Sequence, residues 1–461
     1  MIKIIKESNE DLNEKIIKIN KNIISFDLKK KNNKNKKFVN HFRNINYLVL
    51  IILIYLNIIS SFTKNIQRLI DFQISGISKI ELKFISSGYN QIYHIKGDQS
   101  SAPLPEEVRL NGVKQDIIET SYLMDEGDII TLIWNSNITT TKYMFYECIE
   151  ITEIDFSKFD TSLVTRMESM FYGCESLTSL NLSNFNTENV EDMNSLFFNC
   201  LSLTSLNLSS FNTSKVKYMN SMFYNCSKLN SLDLSNFNTE CVESMNSMFF
   251  NCSSLITLNL SNFNTSKVKN TCSMFYNCSQ LISLELSNFN TENVEDMITM
   301  FFNCSLLTSL NLSNFNTSKV KYMNLMFSKC SSFISLDLSN FNTEYVENMD
   351  SMFFNCSSLI TLNLSNFNTS KVKNMNSMFY GCSKLNSLDL SNFNTLKLES
   401  MENIFSYCSS LEYINLENSN LKFYTYSKEF EGINENIIIY SKDDKWNGVL
   451  DGYEVYINCF N

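Results

Sequence analysis

Cysteine recurs every 26 residues along most of this 461-residue chain: Cys148, Cys174, Cys200, Cys226, Cys252, Cys278, Cys304, Cys330, Cys356, Cys382 and Cys408. Phenylalanine keeps the same step from Phe159 through Phe185, Phe211 and Phe237 to Phe393. A fixed period of this length is the signature of a solenoid: each unit is too small to bury its own apolar side, and stacked neighbours share one continuous core. The chain therefore reads as one elongated array with flanks, not as the several globular domains its length would allow. Ten glycines and two prolines leave little material for flexible linkers.

Inside each unit the spacing of apolar residues changes. Leu180 and Leu182 alternate with Ser179, Asn181 and Ser183, a short strand with one buried face. Val190, Met193, Leu196, Phe197 and Cys200 fall at i, i+3, i+6, i+7 and i+10, which predicts a short helix on the return. A strand with a helical return is the leucine-rich-repeat plan, and Leu177-x-x-Leu180-x-Leu182 supplies its spacing. The expected fold class is an α/β repeat solenoid: a right-handed, leucine-rich-repeat-like array of about eleven 26-residue units over 143–416, with small β-rich caps at 64–142 and 417–461 and an N-terminal transmembrane segment. Phe at the strand exit and Phe after Met should form two aromatic spines, each buried side chain contributing roughly 1.5–3 kcal/mol. Asn186-Thr187 and its copies are expected to satisfy backbone groups at the turn after each strand.

The flanks carry strand patterns of their own. Ile80, Leu82 and Phe84 alternate with charged residues, Asn111-Gly112 is a hairpin turn signal, and Asp128 to Trp134 reads as another strand. Ile437 to Tyr440 and Tyr453 to Phe460 read as strands near the other end. A second period is superposed on the array. Glu191, Lys217, Glu243, Lys269, Glu295, Lys321, Glu347, Lys373 and Glu399 share one column with alternating sign, so neighbouring units should attract there and a one-unit slip would set like against like. Residues 247–270 and 351–374 are identical, which points to duplication of a four-unit block and means that sameness between units says little about what function requires.

Residues 1–43 form a basic tail, expected to be disordered and cytoplasmic; residues 1–44 hold 12 Lys/Arg against 5 Asp/Glu. Residues 44–63 carry no charge and are mostly aliphatic, long enough to span a bilayer core. The lysines ahead of this stretch place the N-terminus inside and the repeats outside, as an uncleaved signal anchor; a cleaved signal, giving a secreted protein, and a buried core segment are the rival readings. With a net charge of −10 overall, the remainder is strongly acidic, which argues against nucleic acid as a partner.

The unit Phe-Tyr-Asn-Cys226-Ser-Lys-Leu-Asn-Ser-Leu-Asp-Leu-Ser-Asn-Phe-Asn-Thr, followed by Val-x-x-Met-x-x-Met-Phe, resembles the BspA-type leucine-rich repeat surface proteins. The resemblance covers roughly 143–416 and implies a cell-surface or secreted microbial protein linked to adhesion to host matrix or to other cells. It implies no catalytic residues.

The residues themselves point the same way. The chain has two histidines, His41 and His94, too few for a His-based triad or metal site in the array, and no phosphate-cradling glycine loop. No enzyme activity, cofactor or metal is expected. The cysteine column runs one thiol per unit along an axis, unlike converging zinc ligands, and reads as buried free thiols. Cys241, Cys272 and Cys459 stand outside it, and Cys241, in an outward column, is the expected reactive thiol. The strand face is the expected binding surface for an extracellular protein or glycan ligand, along a small-polar, mildly acidic track: Asn181, Asn207, Asp233, Asn259, Glu285, Asn311, Asp337, Asn363 and Asp389. Tyr218, Tyr322 and Tyr345 on the opposite flank form a second candidate surface. Asn137, in a sequon outside the array, is the expected glycosylation site if the chain enters a secretory pathway. A surface coat without a specific ligand and an intracellular scaffold are the alternatives to adhesion.

Overall fold

The computed structural model describes residues 77–94, 101–417, 419, 430–441 and 455–457. The basic tail and the apolar stretch 44–63 lie outside these residues. Among the described residues no helix is long and apolar enough to cross a membrane. Contacts divide the chain into two units, Met1–Ser75 and Gly76–Asn461, and the described residues all belong to the second.

It is a β-solenoid with a 26-residue repeat. The eleven periodic cysteines are all buried. So are the hydrophobic residues of the columns Val190, Met193, Leu196, Phe197, Leu177 and Phe185, except Leu398 in the valine column, which is partly open. Both expected aromatic spines are present. The inner one runs Phe171–Phe197–Phe223–Phe249–Phe275–Phe301–Phe327–Phe353–Phe379–Phe405, with neighbouring rings parallel and centroids 5.6–5.9 Å apart. The outer one, at the strand exit, stacks more loosely, for example Phe263–Phe289 at 6.5 Å.

The helical return does not exist: the described residues contain no helix, and the α/β expectation becomes an all-β one. The same apolar spacing is met by a chain of turns whose hydrogen bonds alternate between two directions. In one coil Met193, Ser195, Phe197 and Asn199 donate their N–H groups to carbonyls of the next coil, at Tyr218, Asn220, Met222 and Tyr224. The residues between them, Leu196, Phe198 and Cys200, donate three positions back to Met193, Ser195 and Phe197. A helix would direct every N–H into its own coil and leave nothing to join neighbours; here half the groups do each job, so buried backbone is satisfied while the coils are stitched together.

This alternation needs two left-handed residues per coil. Ser195 (φ 53°) and Asn199 (φ 56°) repeat as Ser221/Asn225, Ser247/Asn251 and Ser273/Asn277, and left-handed residues break a right-handed helix. Asparagine tolerates this region; Gly173 and Gly381, both at φ 71°, occupy the same column where the sequence departs from Asn. Leu325 (φ 59°) occupies the serine column with no such tolerance. Leu325→Asn is expected to gain up to about 1 kcal/mol from relieved backbone strain, read as a rise in the denaturation midpoint.

Three further ladders run along the axis. The threonines after the strand from Thr161 to Thr369 are buried, and the hydroxyl takes the place of a peptide: Thr187 Oγ1 donates to the Asn212 carbonyl at 2.9 Å and accepts the Asn212 N–H at 2.7 Å. The asparagine copies instead close the local turn, as when Asn186 Oδ1 accepts from Glu188 N. In the alternating-charge column, Lys217, Lys321 and Lys373 reach back to Glu191, Glu295 and Glu347, each at 2.7 Å. These pairs are about half exposed, and the backbone beneath them is itself laddered: Lys217 N donates to Glu191 O and Glu243 N to Lys217 O. Asparagine amides join end to end from Asn199 to Asn303, with Asn225 Nδ2 on Asn199 Oδ1 at 2.9 Å and Asn303 Nδ2 on Asn277 Oδ1 at 2.5 Å.

Strands β1 to β7 are Ser78–Phe84, Gly88–Gln91, Glu107–Leu110, Val113–Lys114, Ser121–Met124, Ile129–Trp134 and Ile151–Lys158. The first sheet has the order β4-β3-β6-β1-β7. β7 is the strand of the first coil; its outer edge pairs antiparallel with β1, so the solenoid does not begin with a bare edge that could recruit another chain. Asn111 and Gly112, both with positive φ, make the β3–β4 hairpin turn. Along the array, regular strands form at β8 (Thr257–Asn259), β9 (Ser283–Glu285), β10 (Ser335–Asp337), β11 (Thr361–Asn363), β12 (Ser387–Asp389) and β13 (Tyr413–Asn415). In the coils of Leu180, Leu206 and Leu232 the chain follows the same in–out alternation without strand hydrogen bonds. β14 (Ile438–Ser441) and β15 (Val455–Ile457) extend the parallel sheet β12-β13-β14-β15 beyond the last repeat.

Candidate ligand-binding surface

The strand alternation puts one residue of each coil outward between two buried leucines. All nine track residues, Asn181, Asn207, Asp233, Asn259, Glu285, Asn311, Asp337, Asn363 and Asp389, are exposed. They are brought into register where strands pair: Asn259 lies opposite Glu285, and Asp337 opposite Asn363, with Asn363 Nδ2 on Asp337 Oδ1 at 3.2 Å.

Each track residue also has a local task that sequence reasoning missed. Its side-chain oxygen accepts the N–H two residues on, closing the turn that ends the strand: Asn181 from Ser183 at 3.1 Å, Asp233 from Ser235 at 2.9 Å, Glu285 from Ser287 at 3.0 Å, Asp389 from Ser391 at 2.9 Å. Short polar side chains that cap a turn this way are selected for by backbone geometry alone. The Ser235 and Ser339 N–H groups hold the Asp233 and Asp337 carboxyls below the usual range, so both keep their charge at neutral pH.

Beside the track runs an apolar row that the repeat consensus conceals. Ile256, Ile282, Ile334 and Ile360 stand at the strand entry, 39–56% exposed. Their backbones are paired, Ile282 N on Ile256 O at 2.9 Å and Ile360 N on Ile334 O at 2.8 Å. The signal was present in the sequence: the same column holds Thr178, Thr204, Asn230 and Thr308 elsewhere, so isoleucine is not what the fold demands there. Tyr413 stands on the outward face of β13, 37% exposed.

The opposite flank is structured as well. Tyr218, Tyr322 and Tyr345 are 39–49% exposed, and Lys371 Nζ sits 3.6 Å above the Tyr345 ring. The array also carries a third aromatic ladder, unforeseen from the sequence, in which Tyr146, Tyr172, Phe198, Tyr224, Phe250, Tyr276 and Phe302 stack at 4.2–4.5 Å. The interchange of Tyr and Phe next to the buried Phe column was its sequence trace. His94 tilts onto Tyr146 at 4.8 Å at its start.

Among the described residues no cluster of metal-ligating side chains occurs, and the thirteen described cysteines are free thiols. Each column thiol is spent inside the fold: Cys226 Sγ donates to the Phe197 carbonyl at 3.1 Å and Cys278 Sγ to Phe249 at 3.1 Å, with every later copy alike. Burial pushes Cys226 and Cys278 up to about 12, which removes the reactive thiolate at neutral pH. Cys241 and Cys272 are half-exposed; Cys459 lies outside the described residues. Asn137 is exposed just after β6.

One charged cluster has a pH consequence. Glu168 is joined by Lys142 at 2.6 Å and by Arg166, and it shares a carboxyl–carboxylate contact with Asp192. Burial, and then the neighbouring Glu168, push Asp192 up to about 6, against the pull of the Asn194 N–H and Arg166. Glu168 itself is held down by Lys142, Asp192 and Arg166, which together outweigh its burial. A raised carboxyl means that the folded chain holds the proton longer than the unfolded one, so this group's contribution is complete at low pH and is lost as pH rises toward about 6. Asn270 and Asn348 do the same turn-closing work in the Asp192 column. Asp192→Asn is therefore expected to stabilise the chain above pH 6 and to change nothing near pH 4, measured as the melting temperature across that range.

A stacked array of 26-residue coils with inward leucine, phenylalanine and cysteine columns and a polar outward strand face defines a leucine-rich-repeat type of β-solenoid. The chain belongs to the family described as "Mycoplasma protein of unknown function, DUF285", which matches residues 139–257, 249–358 and 334–436 and so spans well over half of it. No curated protein matches the chain. Among solved structures it is similar to a leucine-rich repeat protein from Bacteroides ovatus, with 15% identity and a TM-score of 0.43, covering 81% of this chain and 99% of that one. It is also similar to an internalin from Listeria monocytogenes, with 16% identity, a TM-score of 0.24 and coverage of 65% and 84%. A third is the functional domain of InlJ from the same organism, which includes a cysteine ladder; it has 15% identity, a TM-score of 0.20 and coverage of 73% and 71%.

Proposed function

We propose that the chain is a non-catalytic recognition solenoid of the BspA type, held at the outer cell surface by residues 44–63, that binds a protein or glycan ligand along its strand face. The observation that carries this reading is the exposed isoleucine column beside the polar track, two neighbouring pairs, Ile256/Ile282 and Ile334/Ile360, on either side of Thr308. An apolar row rimmed by polar residues is the composition of a binding patch, and repetition from coil to coil suits multivalent engagement of an extended ligand. The acidic balance of the track favours a ligand with basic groups.

The test is binding of the purified full chain to immobilised matrix proteins and glycans, beside a variant with the four isoleucines changed to Ser. Selective capture that is lost in the variant supports recognition. Equal capture by both, or none by either, removes it. Protease shaving of intact cells tests the placement separately: an outward array is cut, and survival of the array counts against the surface location.

A second reading is a surface coat without a specific ligand. It is favoured by the turn-closing role of every track residue, which explains the Asn/Asp column without any partner. Absence of capture together with cleavage on intact cells would select it.

A further inference from the structure

We propose that the gap at Ser328 is a binding slot for one planar aromatic ring carrying an anionic group, a small aromatic carboxylate. The half-exposed ladder of Tyr and Phe rings is continuous from Tyr146 to Phe302 and resumes with Phe354 on Tyr380 at 4.8 Å. Between them, position 328 of the same column is serine. The backbone does not register the change: Asn303 N donates to Ser328 O at 2.8 Å, as Asn277 N does to Phe302 O at 2.7 Å. Nor do the coils close up. The inner spine passes this level at 5.6 Å (Phe301–Phe327) and 5.8 Å (Phe327–Phe353), its ordinary spacing.

One face of Phe302 and one face of Phe354 are thus left without a ring partner, two coil spacings apart, about 9–10 Å. A ring inserted midway would lie about 4.7 Å from each, within the range of stacked aromatic pairs and close to the spacing of the ladder itself. Two further groups state what the ring should carry. Ser328 is fully buried, and its Oγ is the only buried side-chain nitrogen or oxygen among the described residues without a hydrogen-bond partner. A buried hydroxyl left unmade is costly, and a hydroxyl at the inner edge of the ligand would satisfy it. Lys329, exposed and without an ion pair among the described residues, lays its ammonium over the Phe302 ring at 5.3 Å. The ammonium lies on the ring face where the ligand would stack, and Ser328 beneath is covered; the flexible Lys329 stem must swing outward to admit the ring, and from there its ammonium would meet the ligand's outward carboxylate. The other serine of this column among the described residues, Ser406, leaves no such site, because Tyr407 tilts onto Tyr380 at 5.1 Å.

The probe is 4-hydroxybenzoate, followed by ligand-observed NMR on the full chain, with 4-hydroxycyclohexanecarboxylate as the non-planar control. Saturable, roughly millimolar binding is expected, weakened about tenfold or more in Ser328→Tyr, which fills the slot with the chain's own ring, and severalfold in Lys329→Ala. Ser328→Tyr restores a residue found at this column in other coils, so it should fold and melt higher than the natural chain. Undiminished binding in Ser328→Tyr, equal binding of the non-planar control, no saturation, or a lower melting temperature for Ser328→Tyr would each overturn the proposal.

Discussion

Replacing Phe275 by alanine is expected to cost about 3–5 kcal/mol, the range for deleting a fully buried ring. Phe275 is 0% exposed and sits between Phe249 at 5.7 Å and Phe301 at 5.6 Å. Backbone ladders hold the coil spacing on both sides of the ring, so the two neighbours cannot move together to fill the void. Because a solenoid is stabilised by nearest-neighbour interfaces, the loss should be local first. Amide exchange is expected to accelerate in the coils of Phe249, Phe275 and Phe301 before the ends of the array respond. A loss under 1 kcal/mol in chemical denaturation, or exchange that rises uniformly along the chain, would show that the ring column is not a continuous support.

Thr265→Val should be nearly as damaging, although it conserves shape and adds apolar surface. Thr265 is buried, and its hydroxyl both donates to the Asn290 carbonyl and accepts the Asn290 N–H, each at 2.8 Å. Valine would leave a backbone donor and a backbone acceptor of the next coil unmet, at about 1–3 kcal/mol for each buried group, or about 2–4 kcal/mol in total allowing for partial hydration. Thr265→Ser keeps the hydroxyl and should cost much less. A Val variant as stable as the Ser variant would show that the hydroxyl only fills space.

The buried columns were legible because a stacked array repeats its demands at every level: Cys226, Phe237, Met245 and Phe249 each predict their copies, and all are inside. The return was misread for a physical reason. Val190, Met193, Leu196 and Cys200 lie three or four apart whether the chain coils into a helix or into successive three-residue turns, so apolar spacing cannot separate the two. What separates them is the Asn199 column, where Asn225, Asn251, Asn277 and Asn303 share a position with Gly173 and Gly381. Exchange between Asn and Gly marks a left-handed residue, and two such residues in every coil leave no room for a helix. The exposure of the polar track followed from strand alternation, but its turn-closing hydrogen bonds depend on where the strand ends, which periodicity does not state. The isoleucine row and the missing rung at Ser328 are departures from the repeat, visible only once the repeat is known well enough to ask which coils break it.

The inward direction of the same side chains at every coil can be tested most directly by thiol footprinting of the native full chain, with alkylated peptides located by mass spectrometry. The eleven column cysteines from Cys148 to Cys408 are expected to resist alkylation until the chain is denatured, while half-exposed Cys241 and Cys272 react under native conditions. Native labelling spread evenly over the column, at rates like those of Cys241, would contradict a shared interior.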